Sequence, residues 1–277
     1  SLEKKKYLPI FELKYYKTIL NKDYLIKYKQ QKGSDKLQKY IPLLLKFIRT
    51  FQPELPQLPI KENLQWVIEK INRYDVSNIC DKNNIFNNNC STIGTNYLKS
   101  TFNSFWNSKF NKNKSPIEAW NDDKIMYDVI KYRIGLNNSN EVFDFSLANL
   151  IKGISARRIT ISFFKPILAS AIYDKIIDNN KKDPILLDPC CGFGGRLLSF
   201  KSKYPFGTYV GCEPNIKTYN ELLKLIDDAN FSNCFIYNCK FEDFDISKIH
   251  YDVAFTSIPY YDLEIYNKDY KEKLTID

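Results

Sequence analysis

The chain of 277 residues has a single histidine, His250, so a serine–histidine–aspartate hydrolase or a histidine-rich metal centre has almost no material to use. Its seven cysteines (80, 90, 190, 191, 212, 234 and 239) are an odd set without a Cys-x-x-Cys pair. That argues against a disulfide framework and against a four-thiolate zinc site, and leaves reduced thiols and no metal as the expectation. Long apolar runs are missing too: Ile41-Pro42-Leu43-Leu44-Leu45 is cut by Lys46, far short of the roughly 20 residues of a membrane span. The first residues, Lys4-Lys5-Lys6 followed by Tyr7-Leu8-Pro9, lack the apolar stretch and small-residue cleavage site of a secretory signal. The expectation is a soluble intracellular protein, cytoplasmic or nuclear, in a reducing compartment and without membrane contact.

What the chain has is 44% apolar and 15% aromatic residues, enough to fill a core in one large domain or two modest ones. Its net charge of +9 is unevenly placed. Residues 1–50 hold 13 Lys+Arg against 4 Asp+Glu, 51–150 balance at 11 against 11, and 151–277 balance at 17 against 17. In the basic segment Tyr7, Tyr15, Tyr16, Tyr24, Tyr28 and Tyr40 are interleaved with lysines. Such a surface attracts phosphates by counterion release and stacks on bases. A lysine-solvated helical face with inward tyrosines fits the same pattern.

Hydrophobic spacing makes the front half helical. Helices are expected over Asp35 to Phe51, Ile60 to Tyr74, and, from the capping box Ser115-Pro116-Ile117-Glu118, on to about Arg133. Trp66, Trp106 and Trp120 read as core anchors of that half. The asparagine-rich stretch 83–96 reads as a surface loop. After a helix over about Phe164 to Ile177 the pattern changes to short apolar strands at Ile185–Leu187, Thr208–Cys212, Asn233–Tyr237 and Asp252–Thr256, with helices at 195–203 and 216–229 between them. Strand and helix in alternation predict a mostly parallel sheet. The division is placed at residue 150: a mainly helical, basic domain over 1–150 and an α/β domain over 151–277.

The sharpest segment is Leu186-Leu187-Asp188-Pro189-Cys190-Cys191-Gly192-Phe193-Gly194-Gly195-Arg196-Leu197, an apolar strand running into a glycine turn that opens a helix. Glycine lets a ligand approach the backbone at the carboxyl end of a strand. The dinucleotide fingerprint fails because its third glycine would fall at Leu197, and a P-loop fails for want of Gly-Lys-Ser/Thr. Glu213 ends the next strand 21 residues after Gly192, where a carboxylate accepts two hydrogen bonds from a ribose diol. Phe241 and Glu242 follow the third strand and suit an adenine ring. The fourth strand delivers Ser257-Ile258-Pro259-Tyr260.

In this order, residues 185–264 resemble a class I S-adenosylmethionine-dependent methyltransferase, a Rossmann-like sheet. Ser257 to Tyr260 resembles the Asp/Asn/Ser-Pro-Pro-Tyr motif of DNA methyltransferases that modify exocyclic amino groups. Arg157 to Asp174, with Ser162-Phe163-Phe164-Lys165-Pro166, resembles the segment ahead of the cofactor loop in phage- and large-virus-type members. The resemblance implies S-adenosylmethionine as cofactor, with Asp188, Pro189, Cys190, Gly192 and Gly194 around its methionine part, Glu213 on the ribose, Phe241 and Glu242 on the adenine, and Phe164 beside them. It implies that Ser257 and the Ile258 carbonyl accept hydrogen bonds from the target amino group and that Tyr260 stacks on the base, with Pro259 between them in the catalytic motif. By the same resemblance, serine at the first position favours cytosine N4 slightly over adenine N6. Ile258 departs from the motif, which has proline there.

The chain ends 17 residues after Tyr260, whereas the family sheet needs further strands. A fragment, a disordered C-terminal part beyond this sequence or a protein partner that completes the sheet would each account for this. The implied substrate is DNA in preference to RNA. RNA base methylation and a non-catalytic methyltransferase-fold subunit that binds nucleic acid stand as alternatives. Cys190 and Cys191 read as packing residues, not as nucleophiles for carbon-5 methylation, and Arg157-Arg158 as phosphate contacts or a solvated helix start.

Overall fold

The computed structural model describes residues 40–51, 54–55, 62–81, 83, 85–110, 112–135, 147–157, 161–178, 180–259 and 264–265. The basic segment therefore lies mostly outside the described residues, as do Arg158 and Tyr260. The helices used below are, in chain order, α1 (Tyr40–Phe51), α2 (Leu64–Asn72), α3 (Thr95–Thr101), α4 (Pro116–Trp120), α5 (Asp123–Gly135), α6 (Leu147–Ala156), α7 (Pro166–Ile176), α8 (Gly195–Lys203) and α9 (Ile216–Asp228). The strands of the parallel sheet are β1 (Ile185–Asp188), β2 (Thr208–Cys212), β3 (Cys234–Tyr237) and β4 (Val253–Ala254). Contacts group residues 1–58 with 106–161, and 59–105 with 162–277. Residues 59–105 thus belong to the compact unit that holds the sheet, whereas the composition places a division at residue 150.

The first unit is helical. Its α4 begins with a complete capping box: Ser115 Oγ accepts from the Glu118 N–H at 3.2 Å, and the Ser115 N–H donates to Glu118 Oε2 at 3.0 Å. The single helix expected from there to Arg133 is in fact two. Asp122 Oδ1 accepts from the N–H groups of Lys124 at 2.8 Å and Ile125 at 3.1 Å and so caps a new start, α5. Trp120, Met126, Val129, Ile130, Leu150 and Ile154 are buried. Gly153 lets α6 lie against α5, since a Cβ there would sit 2.8 Å from Val129 Cγ1.

In the second unit the sheet order is β3-β2-β1-β4, with every neighbouring pair parallel. Leu186, Leu187 and Asp188 are all buried, as expected of a strand covered on both faces. The ladder bonds Asp252 N–H to Ile185 O and Phe255 N–H to Leu187 O, each 2.9 Å, bracket β4 on β1. α8 and α9 follow β1 and β2 as the periodicity predicts, and α2 and α7 pack against α8. Tyr173, Phe200 and Phe255 form edge-to-face pairs with centroids 5.6 Å apart in both Tyr173–Phe200 and Tyr173–Phe255. Trp106 and Trp120 are buried, but Trp66 is 46% exposed and is corrected to a surface residue. It sits one helical turn before Lys70, whose Nζ lies 5.6 Å from the ring centroid.

Strand order reverses between β1 and β4, since the chain leaves β1 for β2 and β3 on one side and returns to β4 on the other. Ligands bind parallel α/β sheets in the crevice outside the carboxyl ends at such a switch point. The approach of α8 to the segment before α7 depends on Gly195, where a Cβ would lie 2.1 Å from the Phe164 carbonyl oxygen. Gly195→Ala is therefore expected to destabilise the unit by about 2 kcal/mol or more, read as a lowered urea midpoint. A midpoint within error of the parent would refute the close approach.

Candidate functional site

β1 delivers Asp188 to the switch point, fully buried. Its Oδ2 accepts from Arg196 Nε at 2.8 Å and from the Tyr209 hydroxyl. Its Oδ1 is buried without a hydrogen-bond partner among the described residues. Arg196, 3% exposed, opens α8 and also donates to the Cys190 carbonyl. Its guanidinium carbon lies 5.2 Å from the centroid of the Phe164 ring, and its backbone oxygen accepts from Tyr173 at 3.1 Å. Burial opposes the Arg196 charge, yet the Asp188 carboxylate beside it raises the guanidinium pKa above its ordinary range. Burial and then Asp188 push the Tyr209 phenol well up, so it stays a donor.

Beyond Asp188 the turn is fixed by three consecutive N–H groups. Cys190 donates to Thr256 Oγ1, beyond β4, at 3.0 Å. Cys191 donates to the Cys212 carbonyl at 2.9 Å and Gly192 to Glu213 Oε2 at 3.0 Å, both at the end of β2. Gly192 (φ 57°) and Gly194 (φ 73°) have left-handed backbones, which glycine adopts without steric cost. Among the described residues, and chain neighbours aside, no atom lies within 4 Å of the Cβ position of Gly192, whereas that of Gly194 lies 3.0 Å from Leu225 and 3.2 Å from Phe102. Gly194 is thus a packing position and Gly192 faces open space.

Glu213, 7% exposed, also accepts from the Asn215 N–H through Oε1 at 2.9 Å. Burial pushes its pKa up from 4.5 to about 7, against the two backbone bonds that lower it. Asn238, just past β3, donates to the carbonyls of Glu213 at 2.9 Å and Pro214 at 3.2 Å and so ties the ends of β2 and β3 together. Phe241 and Glu242 follow on a 3-10 turn, Phe241–Asp243, with Glu242 exposed and Phe241 half-buried, 6.3 Å from Phe244. Ser257 and Ile258 are exposed, Ile258 by 73%, and Pro259 is half-buried, directly after the Thr256 that holds Cys190.

Asp188, Pro189, Cys190, Gly192, Gly194 and Glu213 therefore meet at one place, with Phe164 joined to them through Arg196. Arg196, Tyr209, Thr256 and Asn238 are structural members that the sequence reading passes over. Only Arg196 leaves a trace in the pattern, as the one charge among the buried residues that start α8. Burial, followed by Asp188, pushes the Cys190 thiol up to about 11, and burial pushes that of Cys191 well above its ordinary value. Protonated thiols are poor nucleophiles, in keeping with packing roles. His250 is exposed. Among the described residues no group of three or more His, Cys, Asp or Glu is placed to hold a metal ion, and no helix is long and apolar enough to cross a membrane.

Neither a protein-family model nor a curated protein matches the chain. Among solved structures it is similar to a type I restriction-modification system methyltransferase subunit from Streptococcus thermophilus, at 14% identity and a TM-score of 0.22, over 87% of this chain and 52% of that one. The chain spans about half the length of that protein, and a likeness of that degree carries no argument about activity.

Two outcomes test the site as described. Arg196→Met leaves Asp188 buried without its charge partner and is expected to cost about 3–5 kcal/mol in chemical denaturation; a loss under about 1 kcal/mol would contradict the buried pair. For Glu213, the folded protein holds a proton that the unfolded chain has released between pH 4.5 and about 7. Its contribution to stability is thus complete below pH 4.5 and is lost as pH rises through about 7. Stability measured across that window should fall less steeply in Glu213→Gln than in the parent, and parallel curves would refute the shift.

Proposed function

We propose that the unit holding the sheet is an S-adenosylmethionine-dependent methyltransferase domain that acts on an exocyclic amino group of a nucleic-acid base, cytosine N4 or adenine N6, in DNA. The observation that supports this reading is the tying of the Cys190–Gly192 turn to Thr256 on one side and Glu213 on the other. It gathers an acid, a glycine turn, a second acid and the Ser257 segment at the switch point of a parallel sheet.

The residues fit a ligand rich in hydrogen-bond donors. A buried Asp188 oxygen lacks a partner, Gly192 opens onto free space, and the Glu213 carboxylate keeps acceptor capacity beyond its two backbone bonds. In this reading Asp188 and the turn through Pro189, Cys190, Gly192 and Gly194 hold the methionine part, Glu213 the ribose, and Phe241 with Glu242 the adenine, with Phe164 at the flank. S-Adenosylmethionine, when bound, supplies an electrophilic methyl group. An amino nitrogen conjugated with a base ring is a weak nucleophile. Ser257 and the Ile258 carbonyl accept hydrogen bonds from its N–H groups and draw its lone pair out of conjugation, and orientation supplies much of the remaining rate. Tyr260 stacks on the base, which must leave a duplex to reach this site.

A second reading, a non-catalytic methyltransferase-fold subunit that binds nucleic acid, is favoured by one observation: the residue in the motif's proline position is an isoleucine exposed by 73%. Proline's fixed φ would aim the carbonyl, and isoleucine lacks that restraint. Calorimetry with S-adenosylmethionine should show binding that weakens at least about tenfold in Glu213→Gln, a change of about 1.4 kcal/mol, with the fold verified by circular dichroism. Transfer of a labelled methyl group to DNA, and not to RNA, should stop in Ser257→Ala and Tyr260→Ala. Absence of methyl transfer to either nucleic acid favours the second reading, and absence of cofactor binding overturns the first.

A further inference from the structure

The carboxyl ends of β2 and β3 carry a pair of cysteines whose thiols have no role in the site as described. The Cys239 thiol donates to Cys212 Sγ across 3.9 Å. Both are free thiols, Cys212 wholly buried and Cys239 half-buried. In the strand register Cys212 lies opposite Tyr237, so Cys239, two residues further on, reaches back diagonally over the strand end. Each thiol neighbours a residue of the candidate site. Cys212 precedes Glu213 and its carbonyl accepts the Cys191 N–H of the turn; Cys239 stands two residues before Phe241, separated from it by Lys240, which caps the 3-10 turn. Asn238 already bonds the two strand ends between them.

We propose that Cys212 and Cys239 form a reversible disulfide under peroxide, and that this bond lowers the affinity of the neighbouring site for its cofactor. The second half rests on the functional reading given above. A disulfide needs the sulfurs about 2 Å apart against the 3.9 Å of the reduced pair, and closing that gap pulls on the strand ends next to Glu213 and Phe241. Displacements of that order at a binding constellation are costly.

The chemistry runs from the more accessible sulfur. Burial, and then Cys239 beside it, push the Cys212 thiol up to about 12, so Cys212 is not the thiolate that first meets oxidant. The Cys239 thiolate attacks the peroxide O–O bond, giving Cys239 sulfenic acid and, after proton uptake, one water. Cys212 Sγ then attacks the sulfenic sulfur, and its proton leaves with the hydroxyl group as a second water. Two thiols are oxidised by two electrons and the peroxide is reduced to two waters; a dithiol reductant reverses the change by exchange.

The test uses the full chain, reduced or treated with hydrogen peroxide. Peptide mapping without reductant should show one cross-linked species joining the Cys212 and Cys239 peptides, lighter by two hydrogens and removed by dithiothreitol. Calorimetric affinity for S-adenosylmethionine should fall about tenfold on oxidation, return on reduction, and stay unchanged by peroxide in Cys239→Ser. No cross-link, or one joining Cys190, Cys191 or Cys234 instead, overturns the proposal, and a Cys212–Cys239 bond with undiminished affinity overturns its second half. A reduced protein that binds no cofactor ends the functional reading and the affinity consequence together, and the peptide map alone then decides the disulfide.

Discussion

A carboxylate at the end of a buried strand cannot stay charged without a partner, and the second unit is arranged around the one that Asp188 has. Arg196 reaches it from the first turn of α8 and holds it at 2.8 Å. An ion pair so deeply buried does not add much stability over an apolar substitute, but removing one member leaves an uncompensated charge. The value of this pair lies in what it fixes. The same guanidinium takes the Cys190 carbonyl and lies over Phe164, and the same carboxylate takes the Tyr209 hydroxyl of β2. One side chain thus joins the strand end, the turn, the helix start and the segment before α7. Closure of that contact is possible because Gly195 admits the Phe164 carbonyl where any side chain would collide.

With Asp188 and Arg196 fixed, the turn has little freedom left. Its three N–H groups point to β4, β2 and β2 in succession, which aligns the ends of three strands by hydrogen bonds that a one-residue change in turn length would misdirect. Gly192 and Gly194 both take positive φ, and the absence of a side chain at Gly194 lets α8 start against Leu225 and Phe102. The two glycines serve different ends: the first keeps a surface clear, the second allows packing.

Much of this was legible in the chain. Runs such as Thr208–Cys212 and Ile216–Asp228 show their period directly, and both elements lie where that period places them. The acid at Glu213 was legible because its distance from Gly192 is that of one strand–helix–strand unit. Asp188 was visible, but its partners were not. Tyr209 and Thr256 lie far along the chain, and nothing in their local pattern distinguishes a tyrosine that bonds a buried carboxylate from one that fills a core. Local chemistry also misled where it was read too simply. The capping box at Ser115 is real, yet Asp122 ends its helix within two turns, because an aspartate that can cap a new start competes with continuation. Trp66 fell on a helix whose buried face is Val67 and Ile71, one residue out of phase with it.

Under the proposed reading, a structural and a binding role share one group at Glu213. Its two oxygens offer about four acceptor sites, and the structure uses one on each oxygen for the N–H groups of Gly192 and Asn215. Those bonds hold the turn and the start of α9, and the remaining lone pairs, one per oxygen, have the spacing of a vicinal diol's two hydroxyl groups under the proposed reading. A glutamine could accept only through its single oxygen, and its amide hydrogens would face one of the backbone N–H groups. Aspartate would be a methylene too short to reach both. Glutamate at this position therefore serves the turn, and under the proposed reading the same two-sided acceptor geometry suits the two hydroxyls of a ribose. Its raised pKa follows from the same burial: the site withholds water from the carboxylate, which strengthens each hydrogen bond it accepts and makes its charge dependent on donors being present.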